Sequence, residues 1–295
     1  MKSEPESPYY VRDLPVPETP LPGETPKPWE KTAVVGSPLP RVDGYERTSG
    51  TAVYPSDVML PKMLHGALLR CPHPHARVKS VDASAAERMP GVHAVLTPAS
   101  PEAQVEWAWS RDATSRLIDP HCRFEGELVA AVAADTPYQA WDAVRAIRVE
   151  YEVLPFVVDE RLALAPEAPR VQEGGNKAKA ASHSRGDVAK GFAEADAVVE
   201  REYRTEAELH TPLECHGCVA NWDGGDLTIW ESTQGVYAVQ AMVAKTLKLP
   251  LARVRVVGRY VGGGFGSKLQ TAKSTIVAAL LARKAARPVR LFLTR

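Results

Sequence analysis

The 295-residue chain has no net charge, with 36 Lys and Arg set against 36 Asp and Glu. That balance gives no field to draw in nucleic acid or an anionic membrane. No apolar run approaches the roughly 20 residues that a spanning helix needs. The first residues, Met1 to Asp13, have no apolar core and no twin arginine, so no export signal is legible. The cytoplasm is the expected location, with the periplasm open only if a partner carries the signal.

Cysteine is scarce as well. Of the four, Cys71, Cys122, Cys215 and Cys218, only the last two are close, in Cys-His-Gly-Cys. A zinc ribbon needs a second C-x-x-C, and a thioredoxin-like pair opens a helix after a strand; this pair does neither. Four cysteines also cannot hold the two iron–sulfur clusters of multi-subunit electron-transfer enzymes. If the chain does redox work, its electrons leave through another polypeptide.

What is present is 44% hydrophobic and 24% charged residues, the balance of a soluble globular protein, in a length that suits two domains. Residues 1–31 are dense in proline (Pro5, Pro8, Pro15, Pro17, Pro20, Pro22, Pro26, Pro28), which excludes helix and interior strand. They read as an extended arm, either a tail without structure or a strap across a partner surface. Residues 32–162 alternate strand and helix signals in an α/β pattern with one continuous core. Leu128 to Ala133 is an apolar run of strand length; Asp135 caps, Pro137 takes the first turn, and Tyr138 to Ile147 follows as helix. Ile147 to Val153 alternates at period two, a half-buried strand. Earlier, Ala83 to Met89 is a short helix closed by Pro90-Gly91, and Val92 to Leu96 a strand.

Residues 163–185 are rich in Ala, Pro, Gly and polar side chains without periodicity, a surface connector. A second domain is expected over 186–295. Val198 to Tyr203 and Cys218 to Trp222 read as strands, and Asp223-Gly-Gly-Asp226 turns the chain back into Leu227 to Trp230. Val236, Val239, Val243 and Leu247 follow helical spacing. Val254 to Val257 is a strand, Leu269 to Ala285 a long helix, and Val289 to Leu293 a last strand. At Arg295 the alternation is still in progress, with nothing resembling a domain end.

Between that strand and that helix lies Gly262-Gly-Gly-Phe-Gly-Ser-Lys268. Glycines let backbone approach a ligand closely, and a helix N-terminus offers unpaired N–H groups to an anion. A phosphate-cradling loop needs Gly-Lys-Ser/Thr contiguous, but Ser267 separates Gly266 from Lys268. The G-x-G-x-x-G dinucleotide fingerprint fails at Ser267. A tight turn without ligand is the plain alternative, although four glycines around one phenylalanine exceed what a turn requires.

The stretch Thr233-Gln234, Val254-Arg-Val256 and Val261-Gly-Gly-Gly-Phe-Gly-Ser-Lys268 resembles the first molybdopterin-binding domain of the xanthine dehydrogenase/aldehyde oxidase family. Upstream, Arg70-Cys-Pro-His-Pro-His-Ala-Arg77, Ser80-Val-Asp82, Pro90-Gly-Val92, Gly126 to Thr136 and Val149 to Pro155 resemble that family's α/β hammerhead domain. Gly186-Asp-Val188 and Leu213-Glu-Cys-His216 continue the match in order. The resemblance implies an α/β (α+β) fold, a hammerhead domain followed by an incomplete molybdopterin-binding domain. It implies molybdenum on molybdopterin or a molybdopterin dinucleotide, with 2Fe–2S and FAD on partner chains and the remaining molybdenum-domain polypeptide as a further partner. The implied reaction is hydroxylation of a small-molecule substrate with water as the oxygen source.

By that resemblance Gln234 would hydrogen-bond the molybdenum's oxo ligand, and Gly263, Gly264, Phe265 and Gly266 would pack beside the metal without ligating it. Taken alone, Gln234 would read as a helix-start cap. Xanthine-oxidising members place a glutamate directly after the loop lysine. Here that position is Leu269, which with Phe265 would line the substrate pocket and favour an aldehyde or apolar heteroaromatic over a purine. The family's catalytic base lies far downstream and has no counterpart in residues 1–295. The alternative is a truncated or split-subunit structural piece of such a complex with no activity of its own; a phosphate-binding module on the glycine loop is a third reading.

Other residues attract attention. His73 and His75 flank Pro74, but two histidines without a third ligand make a poor metal site. Glu206, Glu208 and His210 share one face of a possible strand, near Glu214 and His216; a solvated face explains them, and His216 is given no role. Trp107, Trp109, Trp222 and Trp230 are expected to fill cores or interfaces.

Overall fold

The computed structural model describes residues 34–108, 114–177 and 182–295. The proline-rich arm of residues 1–31 and Trp109 lie outside the described residues. Two compact units are distinguished, Met1–Ala52 and Val53–Arg295. The described part of the first holds one short helix, α1 (Gly44–Ser49), which ends where Gly50 turns left-handed at φ 76°.

In the second unit the strands are β1 (Leu64–Arg70), β2 (Ala76–Asp82), β3 (Val92–Leu96), β4 (Glu106–Ala108), β5 (Thr114–Arg116), β6 (His121–Cys122), β7 (Leu128–Ala134), β8 (Arg148–Val153), β9 (Gly217–Asp223), β10 (Asp226–Glu231), β11 (Val254–Val257) and β12 (Val289–Phe292). The helices are α2 (Ser84–Glu87), α3 (Pro137–Ala146), α4 (Val188–Glu194), α5 (Val236–Leu247) and α6 (Lys273–Ala285). Seven strands form one mixed sheet in the order β11-β10-β9-β12-β1-β7-β3. Strands β6, β2 and β8 make a second sheet, and β4 pairs with β5.

The large sheet crosses the connector. Parallel pairing of β12 with β1, Leu64 opposite Val289, joins strands from both sides of it. The one continuous core expected over residues 32–162 is therefore corrected: its buried residues divide among three clusters, one of them shared with the strands and helices beyond the connector. Leu64, Leu96, Leu128 and Ala131 share a cluster with Cys218, Ile229, Val243, Leu280 and Leu291. The physical reason is in β7, where all seven residues are buried. Period two sends Ala131 and Ala133 into that cluster and Ala130, Val132 and Ala134 into another on the opposite face, under α3. Helix α6, buried from Ser274 to Ala282, covers the first face; its small side chains let it lie close on β9 and β12.

Three other expectations change. The helix expected from Leu269 begins only at Lys273. The Thr271 carbonyl accepts from Trp107 Nε1 at 3.1 Å, a tertiary bond that takes the backbone out of helical pairing. Helix α3 is capped by Thr136, whose hydroxyl accepts from Gln139 N, rather than by Asp135, which is bound instead to His93 and Arg287. Val198 to Tyr203 forms no strand: residues 195–211 have no regular structure and are exposed, Val199 at 82% and Tyr203 at 87%. Their alternation is that of a strand, but no neighbouring strand reaches them among the described residues. No helix among the described residues is long and apolar enough to cross a membrane.

Candidate functional site

The parallel pair β10 and β11 sets two carboxyl ends side by side, the position where open α/β sheets bind ligands. Strand β9 runs antiparallel to β10, with Cys218 opposite Glu231, so the chain entering β9 arrives at the same end. Three segments therefore converge: residues 212–217, residues 231–235 and the glycine loop that follows β11.

The loop departs from ordinary backbone at three places, with φ +96° at Gly263, +54° at Phe265 and +99° at Gly266. A left-handed phenylalanine costs roughly 1–2 kcal/mol, so the flanks must hold it there. They do. Gly262 N donates to Glu214 Oε2 at 2.8 Å. Gly266 N and Lys268 N donate to Gln234 Oε1 at 3.0 and 3.4 Å. Ser267 donates to the Gly264 carbonyl through both its N–H, at 2.9 Å, and its hydroxyl, at 2.7 Å. Among the described residues, the N–H groups of Gly263, Gly264 and Phe265 meet no acceptor.

Gln234 is held in one sense. Both of its loop partners are donors, so its carbonyl oxygen must face them, and its two Nε2 hydrogens have no acceptor among the described residues. It does not cap α5: the cap position is Gly235, without a side-chain bond. A Cβ on Gly264 would run into the Gln234 amide, so only glycine admits this approach. The expected helix N-terminus, by contrast, is not part of the loop, because α6 starts seven residues beyond Gly266. The loop's donors are its own.

Beneath the loop lies a charged layer. The side chain of Lys268 is fully buried; Nζ donates to the Glu214 carbonyl at 2.7 Å and stands 3.7 Å from Glu214 Oε2. Burial pulls the Lys268 pKa down while Glu214 opposes the shift. Ser232 Oγ donates to Glu214 Oε2 at 2.7 Å, and Thr233 Oγ1 to the Lys268 carbonyl at 2.9 Å. Glu231 is fully buried, and desolvation pushes its pKa up to about 8, so it keeps its proton at neutral pH. Thr275 Oγ1 donates to its Oε1 at 2.8 Å. Desolvation also raises the Cys218 thiol well above its usual range. Cys215 and Cys218 are free thiols.

Of the residues expected at the site, Gln234, Gly263, Gly264, Phe265 and Gly266 come together. Phe265 and Leu269 are open to solvent, 71% and 51% exposed. Glu206, Glu208 and His210 are exposed and join no metal-binding cluster among the described residues. His216 gains a role: its Nε2 donates to the Ser267 carbonyl at 3.2 Å, and burial lowers its pKa. His75 pairs with His121, Nε2 to Nε2 at 2.8 Å, away from the loop. Trp107 and Trp222 tie to α6 and its approach through indole N–H bonds to Thr271 and Ala279. The roles of Glu214, Glu231 and Lys268 escaped sequence reasoning. Two of them stand inside family motifs, but the 54 positions between Glu214 and Lys268 hide their contact.

Unclaimed donors around a glycine cradle suit an oxygen-rich, anionic group, and the relatives of this chain name one. Residues 171–295 match the molybdopterin cofactor-binding domain, and residues 49–155 match the aldehyde oxidase and xanthine dehydrogenase a/b hammerhead domain. The chain belongs to the xanthine dehydrogenase/aldehyde oxidase family of molybdopterin-binding large subunits. It is 36% identical over 256 residues to a probable xanthine dehydrogenase subunit from Bacillus subtilis, covering 86% of this chain and 34% of that one. It is 34% identical over 261 residues to a carbon monoxide dehydrogenase large chain of Afipia carboxidovorans, covering 81% and 32%. The crystal structure of quinoline 2-oxidoreductase from Pseudomonas putida 86 superposes with a TM-score of 0.79 at 32% identity, covering 87% and 34%. The chain thus spans about a third of the length of these relatives.

Proposed function

We propose that this chain forms one wall of the molybdenum site in a multi-subunit hydroxylase that oxidises an aldehyde or a heteroaromatic carbon, with water as the oxygen source. One observation carries the reading. The loop locks the Gln234 carbonyl oxygen onto Gly266 and Lys268, which leaves the Gln234 amide hydrogens and three loop N–H groups free to donate. The residues fit a molybdopterin cofactor, free or as its dinucleotide, held through Gln234, Gly263, Gly264, Phe265 and Gly266.

When bound, the cofactor supplies the two-electron oxidation. The chain supplies the donors, already aimed and needing no reorganisation where negative charge develops on oxygen. Phe265 and Leu269 offer apolar surface to the substrate. Leu269 cannot hydrogen-bond a purine edge, which favours an aldehyde or a heteroaromatic ring over xanthine. Glu231 does not serve as general base, since it is buried, protonated and bonded to Thr275. The base and further cofactor contacts come from the remainder of the molybdenum domain. A 2Fe–2S chain and an FAD chain carry the electrons away.

Metal analysis of the chain purified with its partners tests this. Stoichiometric molybdenum is expected, with a reduced content in Gln234→Ala; wild-type complex without molybdenum overturns the reading. Faster turnover of xanthine than of quinoline or benzaldehyde overturns the substrate class. A second reading is a structural piece of such a complex with no part in turnover. Turnover by the complex that is lost in Gln234→Ala rejects it.

A further inference from the structure

We infer that Glu214 and Lys268 are positioning residues, a clamp that fixes the direction of the three free loop N–H donors before a cofactor arrives; the inference rests on the cofactor reading above. Glu214 grips the first residue of the loop twice, through Glu214 N to the Gly262 carbonyl at 3.1 Å and Gly262 N to its carboxylate at 2.8 Å. The same residue receives the last, since Lys268 Nζ donates to the Glu214 carbonyl. Both ends of the loop are thereby drawn to one residue, and the chain between them must arch. The left-handed angles at Gly263, Phe265 and Gly266 are how it does so. Ser232 fixes the carboxylate from the end of β10, and Gln234 N joins Thr233 Oγ1 in holding the Lys268 carbonyl. No side chain fits between the partners, because a Cβ on Gly262 would strike that of Glu214.

The pair is a poor device for stability alone. Its side chains are 0% and 7% exposed, and Glu214 Oε1 is buried without a partner among the described residues. Ion pairs so deeply desolvated are often no more stabilising than apolar residues of the same shape, whereas losing one partner strands the other charge. What the ionic pair offers and an apolar pair does not is a fixed direction for the loop backbone.

The test uses the chain purified with its partners, carrying Glu214→Gln, Lys268→Met, the double substitution, or Gly262→Ala. It reads three quantities: amide hydrogen exchange at the bonded loop amides of residues 262, 266, 267 and 268, the unfolding midpoint and molybdenum content. Each single charge variant should lose both stability and loop protection. The double variant should regain the wild-type midpoint, yet its loop amides should exchange about tenfold faster, the loss of a charge-assisted bond, and its molybdenum content should stay low. Gly262→Ala keeps both charges and pushes Glu214 off the loop. It should speed loop exchange while α6 stays protected, and it decides the matter if the double variant does not fold. Wild-type loop exchange in either the double variant or Gly262→Ala overturns the clamp. Exchange is read without reference to metal, so a wild-type complex lacking molybdenum rejects the cofactor reading while the clamp is still judged on exchange.

Discussion

Replacing Gly264 with alanine isolates the grip of Gln234 on the loop. Gly264 has a φ outside the left-handed region, so alanine meets no backbone penalty there. Its Cβ would instead lie 2.5 Å from Gln234 Cδ and 2.8 Å from Cγ, and the glutamine must leave. Its departure breaks the bonds from Gly266 N and Lys268 N. At about 1 kcal/mol each, the loss is about 2 kcal/mol, or roughly 30-fold in local opening. Hydrogen exchange resolved at Gly266 and Lys268 reads it directly. Gly266→Ala is the control: its backbone is strained at φ +99°, but the nearest atom to the new Cβ is His210 Nε2 at 3.9 Å, so Gln234 keeps its place. In a Gln234→Ala background the bonds are already gone, and Gly264→Ala should add nothing at Lys268. A coupling of about 2 kcal/mol is expected between the two sites. Additive effects, or unchanged protection in Gly264→Ala alone, would refute the reasoning.

Three further outcomes can be checked. Glu231 has a folded pKa near 8, above its unfolded value of about 4.3. The folded state therefore holds the extra proton, and the group's contribution is full below about pH 4.3 and lost as pH rises toward 8. Urea unfolding should show wild type losing stability relative to Glu231→Gln across that window, and parallel pH profiles would sink the assignment. Thr136→Ala should cost about 1 kcal/mol by removing the α3 cap, measured by urea unfolding; no loss would return the cap to Asp135. Residues 198–210 should exchange their amides freely in the chain alone and become protected when it is purified with the rest of the molybdenum domain. Free exchange in a formed complex would show that the partner pairs elsewhere.

Local pattern was legible wherever a segment's own spacing decides its conformation. The Leu128 run, the Asp223 to Asp226 turn, the α5 stripe and the strand at Val254 all stand where period and punctuation put them. What was not legible depends on distant atoms. Asp135 and Thr136 are both sound caps, and the choice falls to Thr136 because Asp135 is taken by His93 and Arg287. Leu269 fits the helical period of α6, yet Trp107 and Val239 bind Thr271 and delay the helix to Lys273. Val198 to Tyr203 has the alternation of a strand, but a strand exists only beside another, and its own residues do not say which.

The site divides in the same way. Glycines beside a lysine announced a close backbone approach, and the family resemblance pointed to Gln234. The direction of the donors was in neither. It comes from Glu214, 48 positions before Gly262, and from a glutamine 32 positions before Gly266. The loop sequence moved to another strand-and-turn frame would keep its glycines and lose its donors. Its chemistry belongs to the three segments that meet at the end of β10 and β11, not to the motif itself.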